Sequence, residues 1–493
     1  MIRVFLALGA IQFLVMLVQL VKTKTLAVLL GPELIGIMAV IDKLIAVAVQ
    51  TVSFSLPFAA SVFLPALWLR DRKAFSRLLD RMSRVLVTTA VVAAVVCTLL
   101  TLLRPSIWGE ELIGHRQAVL FAFLGVPALA LATFVQSVIA GRLEERKAMG
   151  FALLHACVIT LTAVLGVLWM GLEGYYLLYA VGGVALVVTG LGLVVRSARH
   201  APEPEDPPES GRDRDLEGGH ILPPGIWRFS LPLMLLTFAA PFAALVVHYS
   251  ILSDRGPAVA GWMQAAIGIS LAVRGVLGAA NGVFLTPNVN RGGSPADSMA
   301  WANVYGRTIV LLAAALVPPL LLFADVAVQV LYAPTFLPGA RFVALFVSVE
   351  VLGLFVGVYS SLPIAFDHMR FHLVYSAIGQ TLMVVAAVLL IPTMGITGAG
   401  LAMLVPFVVT FFAVGGFLYR VYGLTAPIRT VVLLLLTMFW IGGAGWIGQA
   451  LADLTLQNIG LKVAAYTASI PVLYALLTSD ERSRLRGLRF LRD

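Results

Sequence analysis

Fourteen runs of mostly apolar residues, each near the length that crosses a bilayer, leave this chain few ways to fold. About 20 apolar residues in a helix, at 1.5 Å per residue, cover the roughly 30 Å hydrocarbon core. The runs fall at 4–30, 34–64, 85–103, 118–140, 151–170 and 175–195, then at 227–252, 258–285, 304–324, 342–366, 373–391 and 396–418, with a last pair at 431–451 and 461–477. Of the 493 residues 60% are hydrophobic and 12% charged, against roughly 25% charged in a soluble domain. A water-soluble molecule could not cover this much apolar surface with polar groups. The solvent is therefore lipid, and the expected fold is all-α, with about 14 transmembrane helices. The first run has no small-residue cleavage site before a mature domain and is expected to stay as the first helix. Cys97 and Cys157 both sit in apolar runs and read as small apolar filler, neither a disulfide framework nor a metal site.

The net charge of +9 is a topology signal, because basic residues are retained in the cytoplasm. Arg70, Arg72, Lys73, Arg77, Arg81 and Arg84 follow the second run, Arg142, Arg146 and Lys147 the fourth, and Arg196, Arg199, Arg212 and Arg214 the sixth. The tail adds Arg482, Arg484, Arg486, Arg489 and Arg492, while the alternate loops hold two basic residues at most. Both ends are thus expected in the cytoplasm, as an even helix count requires, and nucleic acid is excluded as a partner. The segment rich in Pro, Glu, Asp and Gly between His200 and Pro224 cannot build a core and reads as a linker. The expected domains are a six-helix bundle at 1–196, a cytoplasmic linker at 197–226, a second six-helix bundle at 227–420, an extra helix pair at 428–478 and a basic tail at 479–493.

The two bundles repeat each other. Gly31-Pro32 with Gly36 and Met38 recurs as Gly256-Pro257 with Gly261 and Met263; Val62-Phe63-Leu64-Pro65 recurs as Val283-Phe284-Leu285-Thr286-Pro287; Met170-Gly171-Leu172-Glu173-Gly174 recurs as Met394-Gly395-Ile396-Thr397-Gly398. Three matches in one order at nearly one offset define an internal repeat. Six spans per copy make it a parallel repeat about an axis along the membrane normal, an architecture that places a transport pathway between the halves.

The second copy, from Arg228-Phe229-Ser230-Leu231-Pro232-Leu233 through Asp254-Arg255-Gly256-Pro257, Gly261-Trp262-Met263-Gln264, Ile269-Ser270 and Leu331-Tyr332-Ala333-Pro334-Thr335-Phe336, resembles Wzx-type polysaccharide flippases of the multidrug/oligosaccharidyl-lipid/polysaccharide (MOP) exporter superfamily. Leu30-Gly31-Pro32 and the basic stretch after the second run fit the same pattern. The resemblance implies a MATE-like fold and alternating access between two lobes in a bacterial inner membrane. Its implied substrate is an undecaprenyl-diphosphate-linked oligosaccharide, an O-antigen or exopolysaccharide repeat unit. A monomer without a cofactor is expected, with a polysaccharide polymerase or export machinery as neighbours, and carboxylates within the spans suggest H⁺ or Na⁺ as a coupling ion.

Ionisable residues at bilayer depth are costly and mark pathways. Lys22 and Lys24 lie in the first run, Asp42 and Lys43 in the second, His248 in the seventh, Arg274 in the eighth and Glu350 in the tenth. A diphosphate carries about two negative charges, and an arginine fork can hold it bidentately. Arg274, Lys22, Lys43, His248 and Lys24 are therefore the candidate substrate-binding residues, and Asp42 and Glu350 the candidate coupling-ion sites. Lys22 and Lys24 point about 200° apart on a helix, so one cavity cannot take both, and snorkelling to the interface is the other reading of Lys24. Asp42 as a structural ion pair and His248 as a packed core histidine are the equivalent alternatives. A peptidoglycan-precursor flippase and a MATE-type drug or cation exporter remain rival functions. An enzyme is not expected, since the outer segments at 104–117 and 324–341 carry no acid/base or nucleophile set and no Walker motif is present. In a background lacking Cys97 and Cys157, an impermeant maleimide added to spheroplasts is expected to label S106C and to spare S210C. The reverse pattern would invert the topology.

Overall fold

A computed structural model describes residues 2–70, 72–141, 145–200, 222, 224–278, 294–366, 368–453 and 455–477. Among them there is no strand. The helices are α1 (Ile2–Ser53), α2 (Leu56–Arg70), α3 (Arg72–Leu103), α4 (Arg116–Gly141), α5 (Glu145–His200), α6 (Pro224–Arg255), α7 (Pro257–Gly278), α8 (Pro295–Leu322), α9 (Ala324–Leu331), α10 (Val343–Ala365), α11 (Met369–Met394), α12 (Ile396–Tyr422), α13 (Ile428–Ala450) and α14 (Leu456–Leu476). Short 3₁₀ segments occupy Pro105–Trp108, Glu110–His115 and Pro334–Phe342. Eleven stretches of the described residues are long and apolar enough to cross a membrane. Two of these, Leu14–Ser53 and Met149–Val194, are double, because α1 bends at Gly31 and α5 at Met170-Gly171. The 21-residue α14 follows them. The chain is an all-helical, multi-pass membrane protein.

The repeat is written in the backbone as well as in the sequence. Gly31 has φ 70° and Gly171 has φ 67°; their counterparts Gly256 and Gly395 have φ 87° and 58°. In the first copy the helix bends through these glycines, and in the second it stops and restarts there. Left-handed φ excludes most side chains. Pro32 and Pro257 then open the outgoing helices, where a missing N–H leaves no bond unmade. The segments between helices correspond too, residues 104–115 in the first copy and 323–342 in the second each carrying 3₁₀ turns.

Two expectations need correction. The run at 34–64 is not one helix: the chain breaks at Phe54 and Ser55, whose φ values are 46° and 54°, and restarts as α2. Pro57 has no N–H to give the Ser53 carbonyl, so the ladder cannot run through. Left-handed φ at non-glycine residues costs about 1–3 kcal/mol each unless the surroundings hold it. Here the Ser55 hydroxyl meets that of Thr237 on α6 at 2.9 Å, and Phe54 packs edge-on against Trp227. Nor is the basic stretch after the second run a loop. Arg72 opens α3, so Arg77, Arg81 and Arg84 ride its first turns, Arg84 bridging to Asp80 four residues back. The linker at 201–221, the Val283–Pro287 match and the tail from 478 lie outside the described residues.

By packing, the chain divides into a unit of residues 1–261 with 387–395 and a unit of residues 262–386 with 396–493. In the first, α5 and α6 both pack along α1, and α4 lies against α3 and α5. The two Gly-Pro hairpins meet inside this unit, and they meet reciprocally. A Cβ on Gly36 would strike the Pro257 carbonyl oxygen, and a Cβ on Gly261 would strike that of Pro32. Each hairpin thus presents its glycine to the other's proline, the contact that two copies related by a local two-fold make. In the second unit α13 packs on α8 and α10 through Gly448, seated on the Leu321 carbonyl, and Gly445, seated on Ala344. Small residues permit this approach where no hydrophobic force drives helices together. Gly36→Ala and Gly261→Ala are each expected to lower the melting temperature in detergent clearly more than Gly114→Ala, which meets open space. Equal melting curves would mean the hairpins do not bear on each other.

Candidate functional site

Two polar clusters interrupt the apolar spans at the predicted residues, one in each unit. In the first unit the bend at Gly31 folds α1 back on itself. Lys22 and Asp42 are then at similar depth, about 14 Å and 16 Å of helix from that bend. Lys22, Lys24, Asp42 and Lys43 are all half-buried, and both Lys22 and Lys43 lie within electrostatic range of Asp42. Lys22 and Lys43 are thus neighbouring charges of Asp42. Tyr176 of α5 is buried and donates to Asp42 Oδ1 at 3.0 Å, its hydroxyl also lying 3.1 Å from the Met38 carbonyl. Tyr175 packs edge-on against Tyr176 and stacks on Tyr179. His155, on the first limb of α5, lies within range of Lys22.

These α5 residues were not singled out from the sequence. A signal was present, since Tyr175-Tyr176 directly follows the Met170–Gly174 motif whose glycine bends the helix. A tyrosine hydroxyl buried in an apolar span also needs a polar partner.

His248 of α6 is buried, with 1% of its surface exposed. Its Nδ1 lies 2.7 Å from the Ala244 carbonyl one turn back. A carbonyl can only accept, so Nδ1 carries the proton and donates it into its own helix. That geometry matches the packed-histidine reading. Beside it Tyr249 donates to Glu111 Oε2 at 3.2 Å, tying α6 to the segment at Glu110–His115.

In the second unit, Arg274 Nη1 donates to Glu350 Oε2 at 2.8 Å. The sequence placed both in spans but did not pair them. The partners are unequal: the Arg274 side chain is 48% exposed and that of Glu350 8%. Glu350 lies on the buried face of α10 among Phe346, Val347, Val351 and Leu354, about 10 Å of helix from Val343 and about 22 Å from Ala365. A carboxylate so enclosed depends on its cation, because removing either partner leaves an uncompensated charge in low dielectric. Arg274 lies about 6 Å of helix from Gly278, the last described residue of α7. Among the described residues its remaining guanidinium N–H groups have no protein acceptor.

A third charged pair was missed. Lys462 of α14 is fully buried, with its Nζ 3.8 Å from Asp325 Oδ1 of α9 and 5.1 Å from the Phe323 ring centre. Neither of these two polar atoms has a hydrogen bond. Lys462 is the sole charge in its apolar run, a signal open to the sequence. Among the described residues no group of three or more His, Cys, Asp or Glu could hold a metal ion.

No family model matches the chain, and no curated protein sequence does. Solved structures match its fold. It is similar to a lipid II flippase, MurJ, in an inward closed conformation, with a TM-score of 0.68 at 11% identity over 95% of this chain and 99% of that one. It is also similar to a MATE-family multidrug resistance transporter of the MOP superfamily in an inward-facing conformation (TM-score 0.53, 16% identity, 86% of this chain and 95% of that one). A MOP-superfamily transporter from Pyrococcus furiosus, described as having a binding pocket of reversed polarity, matches with a TM-score of 0.53 at 13% identity over 89% and 95% of the two chains. The fold is the one that MurJ and MATE transporters share.

Asp325→Ala leaves the buried Lys462 without its counter-charge and is expected to cost about 3–5 kcal/mol of stability. Asp325→Leu with Lys462→Met is expected to recover most of it. A double variant no more stable than Asp325→Ala would show that the pair is not the source of the loss.

Proposed function

We propose that this chain is a flippase that carries an undecaprenyl-diphosphate-linked oligosaccharide, an O-antigen or exopolysaccharide repeat unit, from the cytoplasmic to the outer leaflet by alternating access. The observation that carries the reading is Arg274: a half-exposed guanidinium on a membrane-spanning helix, anchored by a buried glutamate. A cation facing lipid there would be costly, whereas one facing a substrate path is useful. Its unengaged N–H groups suit the bidentate grip on phosphate oxygens that arginine favours. Lys22 and Lys43 form a separate cationic group in the first unit, partly offset by Asp42, and Lys24 lies nearer the bend. His248 serves α6 packing in this scheme. Asp42, held by Tyr176, is the coupling-ion candidate for H⁺ or Na⁺.

The fold alone fits three substrate classes. A cation exporter is the least favoured, because the exposed intramembrane charge here is basic, and the reversed-polarity relative is a precedent for one fold with pockets of different sign. A peptidoglycan lipid precursor is the second reading. The MurJ structure accounts for 95% of this chain against 86% for the MATE transporter, and lipid II carries the same diphosphate.

Flipping in proteoliposomes, read as protection of the sugar from an external glycosidase, tests the proposal. Wild-type protein is expected to flip undecaprenyl-diphosphate oligosaccharide. Arg274→Ala is expected to lower the rate about tenfold or more, since a charge-assisted contact contributes about 1.5–3 kcal/mol and about 1.4 kcal/mol is a factor of ten. Efflux of a cationic dye with no sugar-lipid flipping would overturn the reading, and full activity of Arg274→Ala would remove Arg274 from it.

A further inference from the structure

The Arg274–Glu350 pair poses a question that the proposed substrate makes acute. A diphosphate brought to Arg274 would approach a guanidinium already neutralised at 2.8 Å by a carboxylate. We infer that Glu350 is a tethered substitute for the substrate's phosphate: it occupies Arg274 in the empty carrier, and the diphosphate displaces it on loading. The inference rests on the proposed function and assigns Glu350 a role different from ion coupling.

Three observations carry it. First, the exposure is asymmetric in the direction that exchange requires. Arg274 is open on about half its surface, while the glutamate approaches from the buried side, so an incoming anion can reach the guanidinium without first removing α10. Second, the pair is a single hydrogen bond, Nη1 to Oε2, not the two-bond fork that arginine and carboxylate form when locked together. A monodentate contact gives way to a bidentate one on the same guanidinium. Third, no other described cation bridges Glu350, and its neighbours on the buried face of α10 are Phe346, Val347, Val351 and Leu354. The carboxylate therefore has one described partner to lose and to return to, and while displaced it must be met by water or a proton, because an enclosed bare carboxylate is costly.

A second anion on the guanidinium is repelled by the carboxylate already 2.8 Å from it, so the diphosphate is held best on Arg274 once Glu350 has left. Binding is then an exchange of anions, not an addition. The consequence is a property of the transport cycle. With the substrate gone, Arg274 would be a bare cation in the membrane, held back by its own charge. With Glu350 returned to it, the empty carrier is neutral at this point and can reset without an external anion. The glutamate weakens binding and speeds return, the balance a carrier needs between capture and release.

The test uses the full-length chain in nanodiscs and farnesyl diphosphate as a soluble probe of the prenyl diphosphate, with farnesol as the uncharged control. Glu350→Gln keeps the shape of the side chain and removes the competing charge. It is expected to bind the probe about 5- to 150-fold more tightly than wild type, the usual range for one ligand's influence on another, yet to turn over sugar lipid more slowly in proteoliposomes. Arg274→Gln is expected to lose probe binding. If Glu350→Gln binds as weakly as Arg274→Gln, Glu350 merely positions the arginine and the inference fails, while the proposed function stands. If wild type and Glu350→Gln both ignore the diphosphate, the proposed function fails and takes the inference with it. A wild-type readout guards against an unstable variant: carbodiimide labelling of Glu350, followed by mass spectrometry, is expected to rise when the probe is added. Unchanged or reduced labelling would mean that the carboxylate keeps its partner, and would overturn the exchange.

Discussion

An ion in hydrocarbon has to be met by an opposite charge or by water, and the interior of this protein is arranged around that requirement. Lys22 lies within range of Asp42, Arg274 bonds Glu350, and Lys462 faces Asp325. The Arg274–Glu350 and Lys462–Asp325 pairs join segments far apart in the chain, and Lys22 and Asp42 lie on limbs of α1 folded back on each other. The pairs differ in what they leave open. Lys462 is sealed, and its net contribution to stability is small at best, since a buried ion pair recovers little beyond its desolvation cost. Arg274 is half open, and that difference separates a structural pair from one that can meet a ligand.

The same solvent dictates the backbone. Without water, every N–H and C=O in the spans must bond internally, which leaves helices and their interruptions. The interruptions fall where a residue makes continuation impossible or unnecessary: a left-handed glycine before proline at 31 and 256, a left-handed glycine at 171 and 395, and Pro57 after the strained Phe54-Ser55 pair. Because the first two kinds recur at nearly one offset, the repeat is a repetition of break points as much as of sequence. The reciprocal seat of Gly36 on Pro257 and of Gly261 on Pro32 shows what the proline-to-glycine spacing shared by the two copies achieves, a backbone contact that no side chain could enter.

Much of this was legible in the chain itself. Apolar run length located the helices, because crossing 30 Å of lipid demands it of each helix separately and locally. The glycine-proline hairpins were legible for the same local reason. The break at Phe54-Ser55 was not, since non-glycine residues hold left-handed φ only through tertiary support such as Thr237 and Trp227. The site was legible as a set of depths and no further. Counting residues from Gly31 puts Lys22 and Asp42 level, but nothing in the sequence says that Glu350 faces Arg274, 76 residues away on another helix, or that Tyr176 reaches Asp42. Such meetings depend on how helices rotate and pack, which periodicity does not specify in spans that are apolar all round.

The central claim is that the open cation of the second unit exists to hold a lipid diphosphate. The most direct measurement is mass spectrometry of the lipids that co-purify with the full-length chain from a bacterium making sugar-linked prenyl diphosphates, beside an unrelated membrane protein and the Arg274→Gln variant. The account predicts a prenyl diphosphate enriched over bulk phospholipid with the wild-type chain and lost with the variant. Phospholipid alone, at the level of the unrelated protein, or a diphosphate lipid retained in full by Arg274→Gln, would contradict it.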